Sequence, residues 1–139
     1  MAISQAMATS FKAEILDEQH DLVADDIKIA LYTSSASLGA STATYTTSNE
    51  VANGNGYTTG GVALSNKAVS TSGTTAYFDA DDPTWTSASF TARGALIYND
   101  TNGDKAIAVL NFGGDFTVSS GTFRIVFPAA GANAIITIA

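Results

Sequence analysis

From Ile27 to the last residue, apolar and polar residues alternate with period two in runs of strand length, and Gly, Asn, Asp and Pro separate the runs. Successive side chains in such a run point to opposite sides of a sheet, so each strand offers one face to a core and the other to water. Ile27, Ile29 and Leu31 share one face and predict a central, half-buried strand, and Val62 and Leu64 open another. Ala76, Phe78 and Ala80 alternate with Tyr77 and Asp79, Trp85 and Phe90 bracket a Ser and Thr run, and Gly94, Leu96 and Tyr98 alternate with Ala95 and Ile97. Asn99 to Asp104 reads as a turn that pairs this last strand with 105–112 as an antiparallel hairpin. Gly113 to Asp115 reads as a further turn. Phe123, Ile125 and Phe127 place three large side chains on one face of a strand that Pro128 ends, and Ala134 to Ile138 reads as a terminal strand.

These strand lengths and turn spacings predict an all-β fold, a two-layer antiparallel β-sandwich with Ig-like or jelly-roll connectivity. A chain of 139 residues suits a single domain, 1–139, large enough for a core without disulfides. One segment departs from the strand pattern. Between Ser4 and His20, Met7, Phe11 and Ile15 recur four residues apart, which predicts an N-terminal amphipathic helix over 4–20 with Ser4 as its N-cap. Its apolar stripe suits either an open edge of the sandwich or a neighbouring subunit. The sandwich then occupies 26–139, with a long excursion at about 33–55 in which Leu38, Tyr45 and Val51 are isolated apolar points. Asn53 to Gly56 carries the residues that supply left-handed backbone conformations in turns.

Composition narrows the chemistry. The chain has no cysteine, one histidine and charge on 14% of positions, a poor stock for catalysis, and the absence of cysteine excludes disulfides and thiolate metal sites. Six Lys plus Arg against thirteen Asp plus Glu give a net charge of −7, which opposes nucleic-acid phosphates and anionic membrane surfaces as partners. The first residues carry no basic segment followed by an apolar core, so folding in the cytosol, or export without a signal peptide, is expected.

Individual motifs read more simply as structure than as sites. Asp100, Asn102 and Asp104 have the spacing of calcium ligands, but Lys105 stands where the EF-hand loop needs glycine, and a polar hairpin tip is the better reading. Asp79, Asp81 and Asp82 form an acidic run that faces water, holds a cation or pairs with Arg93. His20, among Glu18, Asp21, Asp25 and Asp26, reads as an exposed residue at a helix end, because no nucleophile-elbow motif accompanies it. The glycines of 54–61 and 113–114 read as turns, since no G-K-[ST] follows. Trp85, Tyr77 and Tyr98 read as core aromatics, with a sugar-binding platform as the alternative. No catalytic residue, metal ligand or cofactor site is assigned.

The runs Asp26-Ile-Lys-Ile-Ala-Leu-Tyr-Thr-Ser-Ser, Thr47-Ser-Asn-Glu-Val and Gly56-Tyr-Thr-Thr-Gly-Gly-Val-Ala-Leu resemble small structural proteins of tailed bacteriophages, cyanophages included. So do Trp85, Phe90-Thr-Ala-Arg-Gly-Ala-Leu-Ile-Tyr-Asn, Phe123-Arg-Ile-Val-Phe-Pro-Ala and the N-terminal segment with Phe11, Lys12 and Ile15. The resemblance implies a virion component made in the host cytoplasm and no enzyme. It favours a capsid decoration or cement protein on the outer surface that clamps neighbouring major capsid protein subunits. A tail, neck or fibre component, with glycan or receptor binding, is the alternative. A homo-oligomer, with a trimer at a local threefold favoured, would multiply modest contacts. Met7, Phe11, Ile15, Leu38, Tyr45, Val51 and Tyr57, from the helix stripe, the excursion and the turn after it, are the expected protein-interface residues.

Overall fold

A computed structural model describes residues 2–139 and shows two antiparallel sheets packed together. The strands are β1 (Ala6–Met7), β2 (Ile27–Tyr32), β3 (Val62–Ala63), β4 (Ala68–Ser72), β5 (Thr75–Asp79), β6 (Thr84–Asn99), β7 (Lys105–Arg124) and β8 (Ile136–Ile138). The larger sheet has the order β1-β7-β6-β2-β3 and the smaller β4-β5-β8. The expected all-β sandwich with an N-terminal helix is therefore present.

The hairpin expected around 99–104 is the spine of the fold, and it is longer than its sequence pattern indicates. β6 and β7 pair from Asn99↔Lys105 out to Thr84↔Arg124. The turn expected at Gly113 to Asp115 is instead an irregularity inside β7: Gly94 opposes Asn111 and Ala92 opposes Phe116, so the residues between them loop out of the ladder, with Gly113 at φ 81°. Glycine there serves a bulge, which lets one strand continue where two were expected. The strand expected to reach Pro128 ends at Arg124.

Beside the proximal half of this hairpin, β2 pairs with Gly94–Asn99 and β1 with Ala108 and Val109. Ile27, Ile29, Leu31, Leu96, Ile97, Ile107 and Val109 form the centre of the core. Nearly every residue of β2 and of 94–99 is buried, so alternation gives way to continuous burial where other elements cover both faces. The distal half of the hairpin outruns its neighbours.

The helix α1 spans Thr9–Leu16, not 4–20. Its N-cap is Ala8, in extended conformation and without a side-chain cap bond, in place of Ser4. Residues 3–7 are claimed by pairing: Ile3 bridges Leu38, the Ser4 amide donates to the Leu38 carbonyl, and β1 joins β7. The C-terminal end is set by Glu18 at φ 59°, where the Gln19 amide turns back to the Glu14 carbonyl, the left-handed finish of many helices. Phe11 is 1% exposed and meets the His20 ring at 4.9 Å, so the stripe packs on this chain's own sheet.

Close backbone approach fixes two glycines. A Cβ on Gly94 would meet the Leu110 carbonyl oxygen at 2.6 Å and the Ile3 side chain at 2.8 Å, so the N-terminal strap depends on its absence. Gly61 has φ +81° and a Cβ there would lie 1.8 Å from the Ile29 carbonyl oxygen. Gly61→Ala combines a left-handed penalty of about 1–2 kcal/mol with an overpacking cost of about 1–3 kcal/mol. Denaturant titration should show a loss of that combined size or no folded protein, whereas Gly73→Ala, with open space around it, should cost only the smaller part.

Candidate functional site

The excursion after β2 does not project into solvent. It is stitched to the sheet by the Thr33 amide on the Asn49 carbonyl, the Val51 amide on Leu31, the Tyr45 amide on Asp104 and the Ala106 amide on Ala43. Ala36, Leu38, Val51 and Tyr57 are buried. At its centre the Glu50 carboxylate accepts from the Tyr45 hydroxyl at 2.6 Å, the Tyr57 hydroxyl at 2.5 Å and the Gly60 amide at 2.7 Å. The Tyr57 hydroxyl also accepts from the Leu31 amide at 2.9 Å, which ties the node to β2. Tyr98 stacks on Tyr45 at 4.5 Å and donates to the Gly60 carbonyl, while Tyr32 donates to Thr46. Burial pushes all four phenols, Tyr32, Tyr45, Tyr57 and Tyr98, above the ordinary range, and the negative charge of Glu50 pushes each further.

A second node closes the other end. His20 is buried, not exposed. Its Nε2 meets Glu14 Oε1 at 3.0 Å and its Nδ1 meets Asn99 Nδ2 at 3.0 Å. The Asn99 amide also donates to Asp25 Oδ2 at 2.8 Å, and a carboxylate only accepts, so the amide is oriented and His20 Nδ1 must be the acceptor. Nε2 then carries the proton and donates to Glu14. Both ring nitrogens are thus committed to holding α1 and the 20–25 turn on the sheet. The Asn99 bond and the Asp21 amide hold the Asp25 carboxyl below its usual range.

The acidic run resolves differently from the expectation. Arg124, not Arg93, pairs with Asp82 at 2.7 Å, and the Phe127 amide donates to the same carboxylate, which lowers its pKa. Arg93 pairs with Asp115 at 3.4 Å. At the hairpin tip, Lys28 meets Asp100 at 3.3 Å, and desolvation and Asp100 raise the Asp104 pKa. Among the described residues no three His, Cys, Asp or Glu side chains are grouped to hold a metal.

Two open hollows are lined largely by apolar side chains. Between α1 and the smaller sheet lies a cleft of about 510 Å³ lined by Phe11, Ile15, Leu22, Val69, Phe78 and Ile138, with Glu18, His20 and Asp21 on its wall. Leu16, Val69 and Ile138, on the elements that form it, are more than half exposed. In the smaller sheet Phe78 on β5 and Ile136 on β8 are buried, while Val69 on the edge strand β4 and Ile138 at the end of β8 stay uncovered and leave the cleft open. A second hollow, about 450 Å³, lies on the distal hairpin among Phe112, Phe116, Val118, Phe123 and Val126, with Phe116 53% and Val126 72% exposed.

Of the seven expected interface residues, Phe11, Leu38, Val51 and Tyr57 are buried in the protomer's own core. Met7, Ile15 and Tyr45 are half-buried; Met7 pairs in β1, Tyr45 serves Glu50, and Phe11 and Ile15 alone line the cleft. Glu50, Asn99, Val69, Ile138 and Phe116 were not singled out in advance. The signal for Val69 was there: Gly73-Thr74 is a two-residue turn between β4 and β5, a hairpin cue. Comparison with protein-family models, with curated proteins and with solved structures finds no match to this chain.

Tyr57→Phe removes the hydroxyl that serves both Leu31 and Glu50, leaves the buried Leu31 amide without this acceptor and takes one donor from the half-buried Glu50 carboxylate, and should cost about 1–3 kcal/mol in denaturant titration. Raised folded-state phenol pKa values mean that stability is complete below the unfolded value of 10.0 and falls as pH rises above it. Titration followed by tyrosinate absorbance should therefore show these four tyrosines ionising together with loss of near-ultraviolet dichroism, in one alkaline transition.

Proposed function

We propose that this protein is a structural component of a bacteriophage particle, a decoration or cement protein bound to the outer surface of the capsid across neighbouring major capsid protein subunits. The observation that carries the reading is the exposed apolar cleft between α1 and the smaller sheet, lined by Phe11, Ile15, Val69 and Ile138. Contiguous apolar surface left open on a folded protomer marks a place where a protein partner completes the burial. The chain's reactive groups support a role in contact, not in catalysis. Its one histidine and its Glu50 carboxylate are both spent on holding the fold. The resemblance of strand and turn runs to small phage structural proteins supplies the identity of the partner, and a repeated protomer multiplies a contact of modest area. Negative charge would then stand outside the DNA-filled shell.

Placement on a tail, neck or fibre as a glycan-binding module has less support. Trp85, Tyr57 and Tyr98 are buried and Tyr45 is half-buried; of the expected platform Trp85, Tyr77 and Tyr98, only Tyr77, half-buried, lines the cleft, so no aromatic platform is assembled for a sugar.

Ile138→Asp places a charge on the cleft at a side chain 57% exposed, so folding should be little changed, within about 0.5 kcal/mol. Complementation of a phage lacking this gene, with quantitative mass spectrometry of purified particles, should find hundreds of wild-type copies per virion and near-complete loss of the variant from particles. A dozen copies or fewer would place the protein on the tail and overturn the capsid reading.

A further inference from the structure

Beyond Val109 the outer edge of β7 has no neighbour. β1 covers Ala108 and Val109 and the Gln5 side chain caps the Asn111 amide, but among the described residues no strand pairs with Phe112–Arg124 on the side away from β6. An edge of this length presents a row of backbone donors and acceptors that only another extended backbone satisfies in full.

The side chains on this edge are complementary to themselves. Laid antiparallel against a second copy about a twofold axis between Ser119 and Ser120, the edge sets Asp115 opposite Arg124, Phe116 opposite Phe123, and Thr117 opposite Thr122, each pair occurring twice. In a regular strand this register is forbidden, because each paired position would face the opposite side of the sheet from its mate. The structure removes the conflict. Val118 opposes Phe90 and Gly121 opposes Ala88, so β7 carries one extra residue at Ser119–Ser120, with Ser120 at φ 47°. The bulge shifts the alternation by one. Phe116 and Phe123 then lie on one face with Phe90, and Asp115, Thr117, Thr122 and Arg124 lie on the other, where the Thr91 and Thr117 hydroxyls meet at 2.8 Å. It also falls at the centre of the pairing, where each copy's extra residue faces the other's.

We infer that β7 pairs with β7 of a second copy of this chain through Asp115–Arg124, joining the two larger sheets edge to edge. Charge complementarity selects the second copy as occupant. Asp115 and Arg124 keep 51% and 58% of their side-chain surface open beyond their partners Arg93 and Asp82, so each has room for the opposite charge across the axis. The exposed Phe116 ring gains Phe123 of the second copy, an aromatic cross-strand pair. The contact is isologous and closes on itself as a dimer. It is independent of the capsid reading, since it needs no other protein, and it differs from the threefold cluster expected from the sequence.

The purified full chain should sediment as a reversible dimer. Asp115→Arg and Arg124→Asp, each placing like charges face to face twice, should each weaken the dimer on the order of tenfold. The double variant should restore it. Intrachain effects cannot produce that rescue, because the swap repairs neither Arg93–Asp115 nor Arg124–Asp82. The register has its own test in a chain without cysteine. Thr117→Cys mixed with Thr122→Cys should form an intermolecular disulfide on oxidation, whereas Thr117→Cys alone should not, since like positions lie farther apart than the roughly 7 Å that a disulfide spans. A monomer at every concentration, a trimer indifferent to both charge variants, or equal cross-linking in the single-variant sample would overturn the inference. Loss of the dimer with undiminished loading onto particles would sink neither the cleft nor the capsid reading.

Discussion

The mismatch in length between one hairpin and the strands beside it organises this molecule. β6 and β7 pair over their whole extent, yet β2 and β1 accompany only their proximal halves. Where the hairpin is flanked, both of its faces are covered and the core forms. Where it is not, two strands alone cannot bury a face, and the turn at 53–57 and the segment after Arg124 come in to do it. The Ser89 amide on the Asn55 carbonyl and the Ile125 amide on Pro83 attach those covers to β6, while the outer side of β7 stays bare.

Three carboxylates serve as anchors for backbone that has no ladder of its own. Glu50 gathers two phenols and an amide from an excursion with few large apolar groups, Asp25 orients Asn99, and Asp82 holds Arg124 and the Phe127 amide. Each replaces hydrogen bonds that an irregular segment would otherwise take from water. A long loop can therefore lie flat on the sheet. The same arrangement ties Glu50, Asp25 and Asp82 into the fold.

Sequence pattern made the large features legible and misjudged the places where tertiary contacts override local ones. Period-two alternation identified β2, β5 and the 94–112 hairpin, and within Asn53–Gly56 the residues Gly54, Asn55 and Gly56 adopt the positive φ that the composition indicated. The helix was drawn too long because Met7 fits a helical stripe as well as a strand, and only pairing with Ala108 decides between them. Gly113 and Ser120 look like turns or simple strand when a bulge is required, since the competing partner lies far away in the chain. The excursion appeared free because its anchors, Tyr45, Glu50 and Tyr57, are polar or amphipathic and leave no periodic trace. For the same reason the cleft was half visible: Phe11 and Ile15 stood out, whereas Val69 is a lone apolar residue in a polar strand.

One consequence concerns light. Trp85, the chain's single tryptophan, is 3% exposed and lies between Tyr57 on the excursion side, at 6.4 Å, and Phe123 on β7, at 5.9 Å. An indole so enclosed emits at short wavelength and shifts to the red when water reaches it. The molecule therefore carries its own lamp at the distal end of the hairpin, beside the turn at 53–57, and its colour reports whether that cover is shut.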